Sequence, residues 1–230
     1  MTILPELVVF DMAGTTVHDG DAVHRCLAEA LAAAGINTTR SQINTVMGLP
    51  KPRAIEIVLQ EQGHVDLATV DKIHADFVER MLKFYREDES VVEIAGATNV
   101  FTALRASGVK VALDTGFSRD IADAILERLG WNNPGLLDTT VTSDEVENGR
   151  PYPDMIFEAM ERTGVNSTQS VMKVGDTPSD LNEGTSARCG WVIGVTGGSH
   201  TREELEACPF THLIHTVAEL PALLGIARPE

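Results

Sequence analysis

Residues 7–17 read Leu-Val-Val-Phe-Asp-Met-Ala-Gly-Thr-Thr-Val. Leu7 to Phe10 are apolar in succession, as a strand buried on both faces requires. Asp11 stands where that strand ends, at the carboxyl edge of an expected parallel sheet, where open α/β folds place their chemistry. Gly14 permits a tight turn that brings backbone N–H groups toward an anion, and Thr15 and Thr16 add two hydroxyls. An aspartate that merely caps a turn has the same local sequence. The rest of the chain has to decide between the two.

Working outward, Val23, Leu27, Ala30, Leu31 and Ala34 recur at helical spacing, and Gly35 closes the run. A short helix is expected from Ser41 toward Met47. Gly48-Leu49-Pro50-Lys51-Pro52 then interrupts it, because proline cannot continue a helix interior. A third helix carries Ile55, Val58 and Leu59 and ends at Gly63. A fourth carries a packing stripe of Leu67, Val70, Ile73, Phe77, Met81 and Phe84. Residues 91–96 read as a linker. Helices are then expected over 99–107, 119–129, 153–163 and 179–189, strands over 110–114, 138–142, 171–174 and 192–195, and two helices at the end. Such alternation predicts a parallel sheet with covering helices. Thr201 with Glu204 is a capping box.

The 230 residues carry 34 acidic against 18 basic side chains, a formal net charge of -16. That balance argues against nucleic acid and against anionic membrane surfaces, both of which need clustered Lys and Arg. It also means that a phosphorylated substrate is repelled at long range and has to be captured by local cations. Cys26, Cys189 and Cys208 share no metal-ligand spacing and read as reduced thiols of a cytoplasmic protein. No apolar run approaches the ~20 residues of a membrane span. His18, His24, His64, His74, His200, His212 and His215 show no motif spacing. His18 is near Asp11 in sequence but reads as an exposed linker histidine, and zinc is not expected.

Three later stretches bear on Asp11: Leu113-Asp114-Thr115-Gly116, Gly149-Arg150-Pro151, and Val174-Gly175-Asp176-Thr177-Pro178-Ser179-Asp180. In order and character, these and the Asp11 stretch resemble the four motifs of the haloacid dehalogenase superfamily of phosphotransfer enzymes. The resemblance covers nearly the whole chain. It implies an α/β protein with a Rossmann-like, three-layer parallel-sheet core formed by residues 1–17 and 91–230, and an inserted α-helical cap domain over residues 18–90.

It also implies a division of labour. Asp11 is the candidate nucleophile, a carboxylate that forms an aspartyl phosphate and so splits one hard step into two. Asp11 and Asp176, with the backbone carbonyl of Ala13, are the expected ligands of Mg²⁺, which prefers hard oxygens. Asp180 could order metal-bound water, pair with a cation, or simply favour the helix dipole. Thr115 and Gly116 can donate a hydroxyl and a backbone N–H to phosphoryl oxygens, or form only a strand-end turn. Arg150 stands where the superfamily carries Lys or Arg and can neutralise nucleophile and transferring group. Thr15, Met47, Gly116 and Phe117 are the expected substrate contacts.

Ala13 narrows the resemblance. Most phosphatases and mutases of the superfamily place a second aspartate two positions after the nucleophile, as acid and then base toward the leaving oxygen. The segment Asp11-Met12-Ala13-Gly14-Thr15-Thr16 instead looks like the phosphonatase (phosphonoacetaldehyde hydrolase) branch, which cleaves a carbon–phosphorus bond. There a cap lysine condenses with the substrate aldehyde, and the protonated imine accepts the electrons. Met47-Gly48-Leu49-Pro50-Lys51 is similar to the stretch that carries that lysine, so Lys51 is the candidate Schiff-base residue or, short of that, a phosphate clamp. Gly149-Arg150-Pro151-Tyr152-Pro153 and Lys173-Val174-Gly175-Asp176-Thr177 look like the same branch. Three positions depart from it: Ala54 stands where the branch has a histidine, Phe117 where it has a tyrosine, and Asp21 near a cysteine. The first expectation is a Mg²⁺-dependent phosphonatase-like hydrolase acting on a small phosphonate. The alternatives are a small-molecule phosphate-ester phosphatase of the phosphoglycolate type and a non-catalytic binder of phosphorylated metabolites. The branch also suggests a homodimer through the cap.

Overall fold

The chain begins with β1 (Leu7–Asp11) and β2 (Val17–His18), passes through four helices, α1 (Ala22–Ala33), α2 (Arg40–Asn44), α3 (Lys51–Glu61) and α4 (Leu67–Glu87), and returns at β3 (Val92–Glu93). It then runs α5 (Ala97–Ala106), β4 (Lys110–Thr115), α6 (Arg119–Leu129), β5 (Thr139–Thr142), α7 (Asp154–Thr163), β6 (Val171–Gly175), α8 (Pro178–Ser186), β7 (Trp191–Val195), α9 (Arg202–Glu206), β8 (His212–Ile214) and α10 (Leu220–Leu224). The computed structural model describes residues 4–18, 20–63 and 66–226. His64 lies outside them.

Six strands form one parallel sheet in the order β5-β4-β1-β6-β7-β8. From β1 the later strands build outward on both sides, so the order reverses there and a crevice opens at the carboxyl edge. Register fixes what faces that crevice. Asp11 pairs with Asp114, and Phe10 is level with Val174, which places Asp176 just beyond the edge. The apolar run of β1 serves two faces, as its period of two demands. Val8 and Phe10 join the cluster that includes Val100, Phe101, Leu104 and Ile125 of α5 and α6, with Phe10 edge-on to Phe101 at 5.3 Å. Leu7 and Val9 join Met155, Ile156 and Ala159 of α7 on the other face. Helices on both faces of a parallel sheet make the three-layer Rossmann-like core expected from the alternation.

The four helices α1–α4 enter and leave side by side. β2 and β3 pair antiparallel, Val17 with Glu93 and His18 with Val92, and the Ile94 N–H donates to the Thr16 carbonyl at 2.8 Å. This ribbon replaces the featureless linker expected over 91–96. His18 lies exposed on it. The stripe of α4 is buried at Val70, Ile73, Phe77, Met81 and Phe84, whereas Leu67 is 71% exposed. Two other expectations need correction. Pro50 and Pro52 do not merely interrupt a helix. Pro50 caps α3 and Pro52 sits in its first turn, where a missing N–H costs nothing. The two final helices are separated by β8, whose three residues are too few to show periodicity. No helix among the described residues is long and apolar enough to cross a membrane.

Candidate active site

The motif residues converge at the carboxyl edge of the sheet, under the helical insert. A small cavity of about 30 Å³ is lined by Asp11 and Ala13 after β1, Thr115, Gly116 and Phe117 after β4, Arg150 before α7, and Met47, Gly48 and Lys51 from the insert. Thr177 and Ser199 complete it. The turn after Asp11 is as tight as its sequence suggests. The N–H groups of Thr16 and Val17 both donate to the Met12 carbonyl, at 2.9 and 2.8 Å, and Gly14 takes φ 91°. A Cβ at Gly14 would lie 2.4 Å from Oδ2 of Asp176, so only glycine lets the first and last motifs meet.

Arg150 organises the carboxylates. Its Nη1 lies 2.6 Å from Asp11 Oδ1 and 2.9 Å from Asp180 Oδ1, Nη2 bonds Asp114, and Nε donates to Glu183 at 3.0 Å. Lys173 stands behind it, bonded to Asp114, 2.9 Å from Glu183 and 3.3 Å from Asp180. Buried charges survive only when paired in this way. Asp176 is held separately: Thr15 Oγ1 donates to its Oδ1 at 2.8 Å, and the N–H and hydroxyl of Ser199 donate to Oδ2 at 2.7 and 2.6 Å.

The acids outnumber the cations. Asp11, Asp114, Asp176, Asp180 and Glu183 share the buried cluster with Arg150 and Lys173. Burial pushes Asp11 up to about 8, against the pull of Arg150 and with the push of Asp180 and Asp176. Burial and then Asp180 raise Asp176. Burial and then Asp114 push Glu183 up to about 8. Asp114 feels the same burial, but Arg150 and Lys173 outweigh it and hold its carboxyl below the ordinary value. Ligand oxygens of Asp11, Asp176 and Asp180 lie within 4.8 Å of one another. This all-oxygen set, short of positive charge, fits a hard divalent cation. The triplet Asp114, Asp180 and Glu183 is equally close, but Arg150 and Lys173 already neutralise it.

Lys51, the first residue of α3, is 3% exposed. Its Nζ donates to the Leu49 carbonyl at 3.2 Å and lies 5.4 and 5.9 Å from the ring centres of Phe117 and Phe77. His74 of α4 stands near enough that burial and the Lys51 charge lower its pKa.

Of the residues singled out from sequence, Asp11, Ala13, Met47, Lys51, Thr115, Gly116, Phe117 and Arg150 share the cavity. Thr15 does not line it; its hydroxyl is spent on Asp176. Asp180 sits behind the cavity, accepting from Thr177 as well as facing both cations. Asp21 is at the surface, paired with Arg40 at 2.6 Å, and Ala54 is buried off the cavity. Of the three departures, only Phe117 touches the site. Sequence reading missed Lys173, Glu183 and Ser199. A lysine inside the apolar strand Val171-Met172-Lys173-Val174 was a signal, since such a charge has to be paired. So was Gly197-Gly198-Ser199 after a strand, which repeats the logic of Gly14-Thr15.

The family model of haloacid dehalogenase-like hydrolases matches residues 8–193, and the chain belongs to that family of hydrolases. A phosphonoacetaldehyde hydrolase of Bacteroides fragilis is 31% identical over 242 residues, covering 94% of this chain and 86% of the relative. Among solved structures, a phosphonoacetaldehyde hydrolase-like protein from Oleispira antarctica matches with a TM-score of 0.83 at 22% identity, over 97% of this chain and 92% of that one. A predicted phosphoglycolate phosphatase from Haemophilus somnus matches with a TM-score of 0.77 at 17% identity, over 95% and 97% of the two chains. The structural matches establish the fold.

Proposed function

We propose that the chain is a phosphonatase-like hydrolase that cleaves the carbon–phosphorus bond of a small carbonyl-bearing phosphonate, with residues 18–90 as its cap. The observation that carries this reading is the sharing of one cavity by Lys51, Asp11, Arg150 and Ala13. An ester phosphatase wants an acid at position 13, where a methyl group stands. A carbon leaving group wants an electron sink, and a buried amine in the same cavity as Asp11 can form one.

In this reading Lys51 condenses with the substrate carbonyl, losing water and giving a protonated imine. Asp11 attacks phosphorus. The carbon–phosphorus electron pair moves into the imine and leaves an enamine on Lys51, while the phosphoryl group stays on Asp11. Water then hydrolyses the aspartyl phosphate, and protonation and hydrolysis of the enamine release the carbonyl product. Arg150 keeps Asp11 oriented from 2.6 Å, and Thr115 and Gly116 face the phosphoryl oxygens. Mg²⁺ at Asp11, Asp176 and the Ala13 carbonyl would supply the positive charge that lets a carboxylate approach an anion. Phosphate release from a panel of phosphonates and phosphate esters, with Mg²⁺, tests the reading: turnover confined to esters rejects it. One observation favours an ester phosphatase instead. Phe117 brings an apolar ring, without a hydroxyl, to the site beside Lys51.

Metal binding has a readout that needs no substrate. Between its ordinary 3.8 and about 8, the folded state holds a proton on Asp11 that the unfolded chain has lost. The metal-free protein therefore loses stability as pH rises through that window. Mg²⁺ displaces the proton and removes the penalty. At a hundredfold excess over its Kd it should add about 2.7 kcal/mol at pH 8, or roughly 5–10 °C in Tm for a chain of this size. At pH 5 the same concentration should do much less. A Tm indifferent to Mg²⁺ at pH 8, or equally responsive at pH 5, contradicts the assignment.

A further inference from the structure

The reacting groups are almost wholly buried. Asp11, Lys51 and Arg150 are 5, 3 and 2% exposed, and the cavity between them, about 30 Å³, has room for about two water molecules. A phosphorylated organic molecule is several times larger, so it enters only when the cap lifts. The part of the cap in the way is the segment 47–51. Leu49 lines open grooves on both sides of the seam, of about 710 and 640 Å³. This segment meets the core where side chains are missing. A Cβ at Gly116 would lie 2.9 Å from the Leu49 carbonyl oxygen, and one at Gly149 would lie 2.3 Å from Cγ of Pro50.

Gly149 is the more telling of the two. Its φ lies outside the left-handed region, so its own backbone accepts alanine. The nearest atoms a Cβ would meet are Cγ, Cδ and Cβ of Pro50, at 2.3, 3.4 and 3.5 Å. All belong to a rigid ring on the cap. Gly149 immediately precedes Arg150, and Pro50 immediately precedes Lys51. One contact therefore registers both cations. We propose that Gly149 and Pro50 are positioning residues that form the closing contact of the cap, a bare-backbone seat that sets Lys51 against Arg150 and Asp11 when the site shuts. This rests on the seam being the active site, and it holds for a phosphonate and an ester alike.

The test is Gly149→Ala, alone and combined with Pro50→Ala, which removes the clashing Cγ. Acylation of Lys51 by an amine-directed reagent, read by mass spectrometry without substrate, reports opening. Gly149→Ala should label Lys51 at least about tenfold faster, the factor expected from overpacking a rigid contact by one methyl. The double variant should return to the parental rate. On a substrate found by the phosphate-release panel, kcat/KM should fall by about a hundredfold and recover in the double variant, with the circular dichroism spectrum unchanged. Should the panel yield no substrate, the labelling arm decides alone. Gly116→Ala crowds the second seat and should speed labelling in the same direction, which keeps the test available if Gly149→Ala fails to fold. Parental labelling in either folded single variant overturns the proposal. So does a double variant that labels as fast as Gly149→Ala.

Discussion

Asp11→Asn should abolish turnover by a thousandfold or more, about 4 kcal/mol of transition-state stabilisation. The amide keeps the shape of the carboxylate and an oxygen for Nη1 of Arg150, now 2.6 Å away, but it cannot attack phosphorus. The loss should fall on kcat rather than KM, because Arg150, Thr115 and Lys51 still hold the substrate. Stability should move the other way. Burial and the neighbouring acids hold Asp11 up to about 8, so its charge is costly in the metal-free fold, and the neutral amide relieves that cost. At pH 8 without metal the variant should melt at or above the parental Tm. An inactive but undamaged protein is what a functional residue held against stability predicts. Retention of about a tenth of the parental rate would rule out the covalent role, and a sharp drop in Tm would mean that Asp11 serves the fold instead.

The same balance explains what could be read from sequence and what could not. The order of strands and helices was legible because β1, β4, β6 and β7 are short apolar runs, with Asp11, Thr115 and Asp176 at the ends of the first three and Arg150 in the stretch before α7. Register then makes the site, since parallel strands that start together finish together, Asp11 level with Asp114. Direction was harder. Thr15 follows Asp11 closely in sequence, yet its hydroxyl turns to Asp176, a contact across 161 positions that no local pattern encodes. Lys173 and Glu183 were overlooked for the opposite reason. Each lies inside a regular element and does not line the active-site cavity, so the need for them appears only once four carboxylates are seen on Arg150. Asp21 and Ala54 stand at or near positions where the phosphonatase pattern has a cysteine and a histidine. α1 and α3 turn both away, one to a surface pair with Arg40 and the other into the apolar interior.

Borohydride added during turnover should trap a covalent adduct on Lys51, visible by mass spectrometry of the digested protein. Reduction of an imine to a stable secondary amine needs a carbonyl-bearing substrate and a neutral amine at the moment of condensation. Lys51 Nζ lies beside the faces of Phe117 and Phe77, 3.2 Å from the Leu49 carbonyl, and lines the same cavity as Asp11. Lys51→Arg then separates the two readings of the site. Guanidinium keeps its charge and cannot condense, so a carbon–phosphorus enzyme should lose both trapping and turnover, by about a thousandfold in kcat/KM. An ester phosphatase needs only a cation at this position. There Lys51→Arg should keep much of the activity, and borohydride should do nothing to either protein. The fold does not confuse the comparison, because Lys51 opens α3 on the helical-insert side of the cavity and its loss leaves the cluster around Arg150 and Lys173 intact. Efficient hydrolysis of simple phosphate esters by Lys51→Arg, with no adduct on the parent, would sink the carbon–phosphorus reading and leave a phosphatase whose missing acid at position 13 has to be replaced by water.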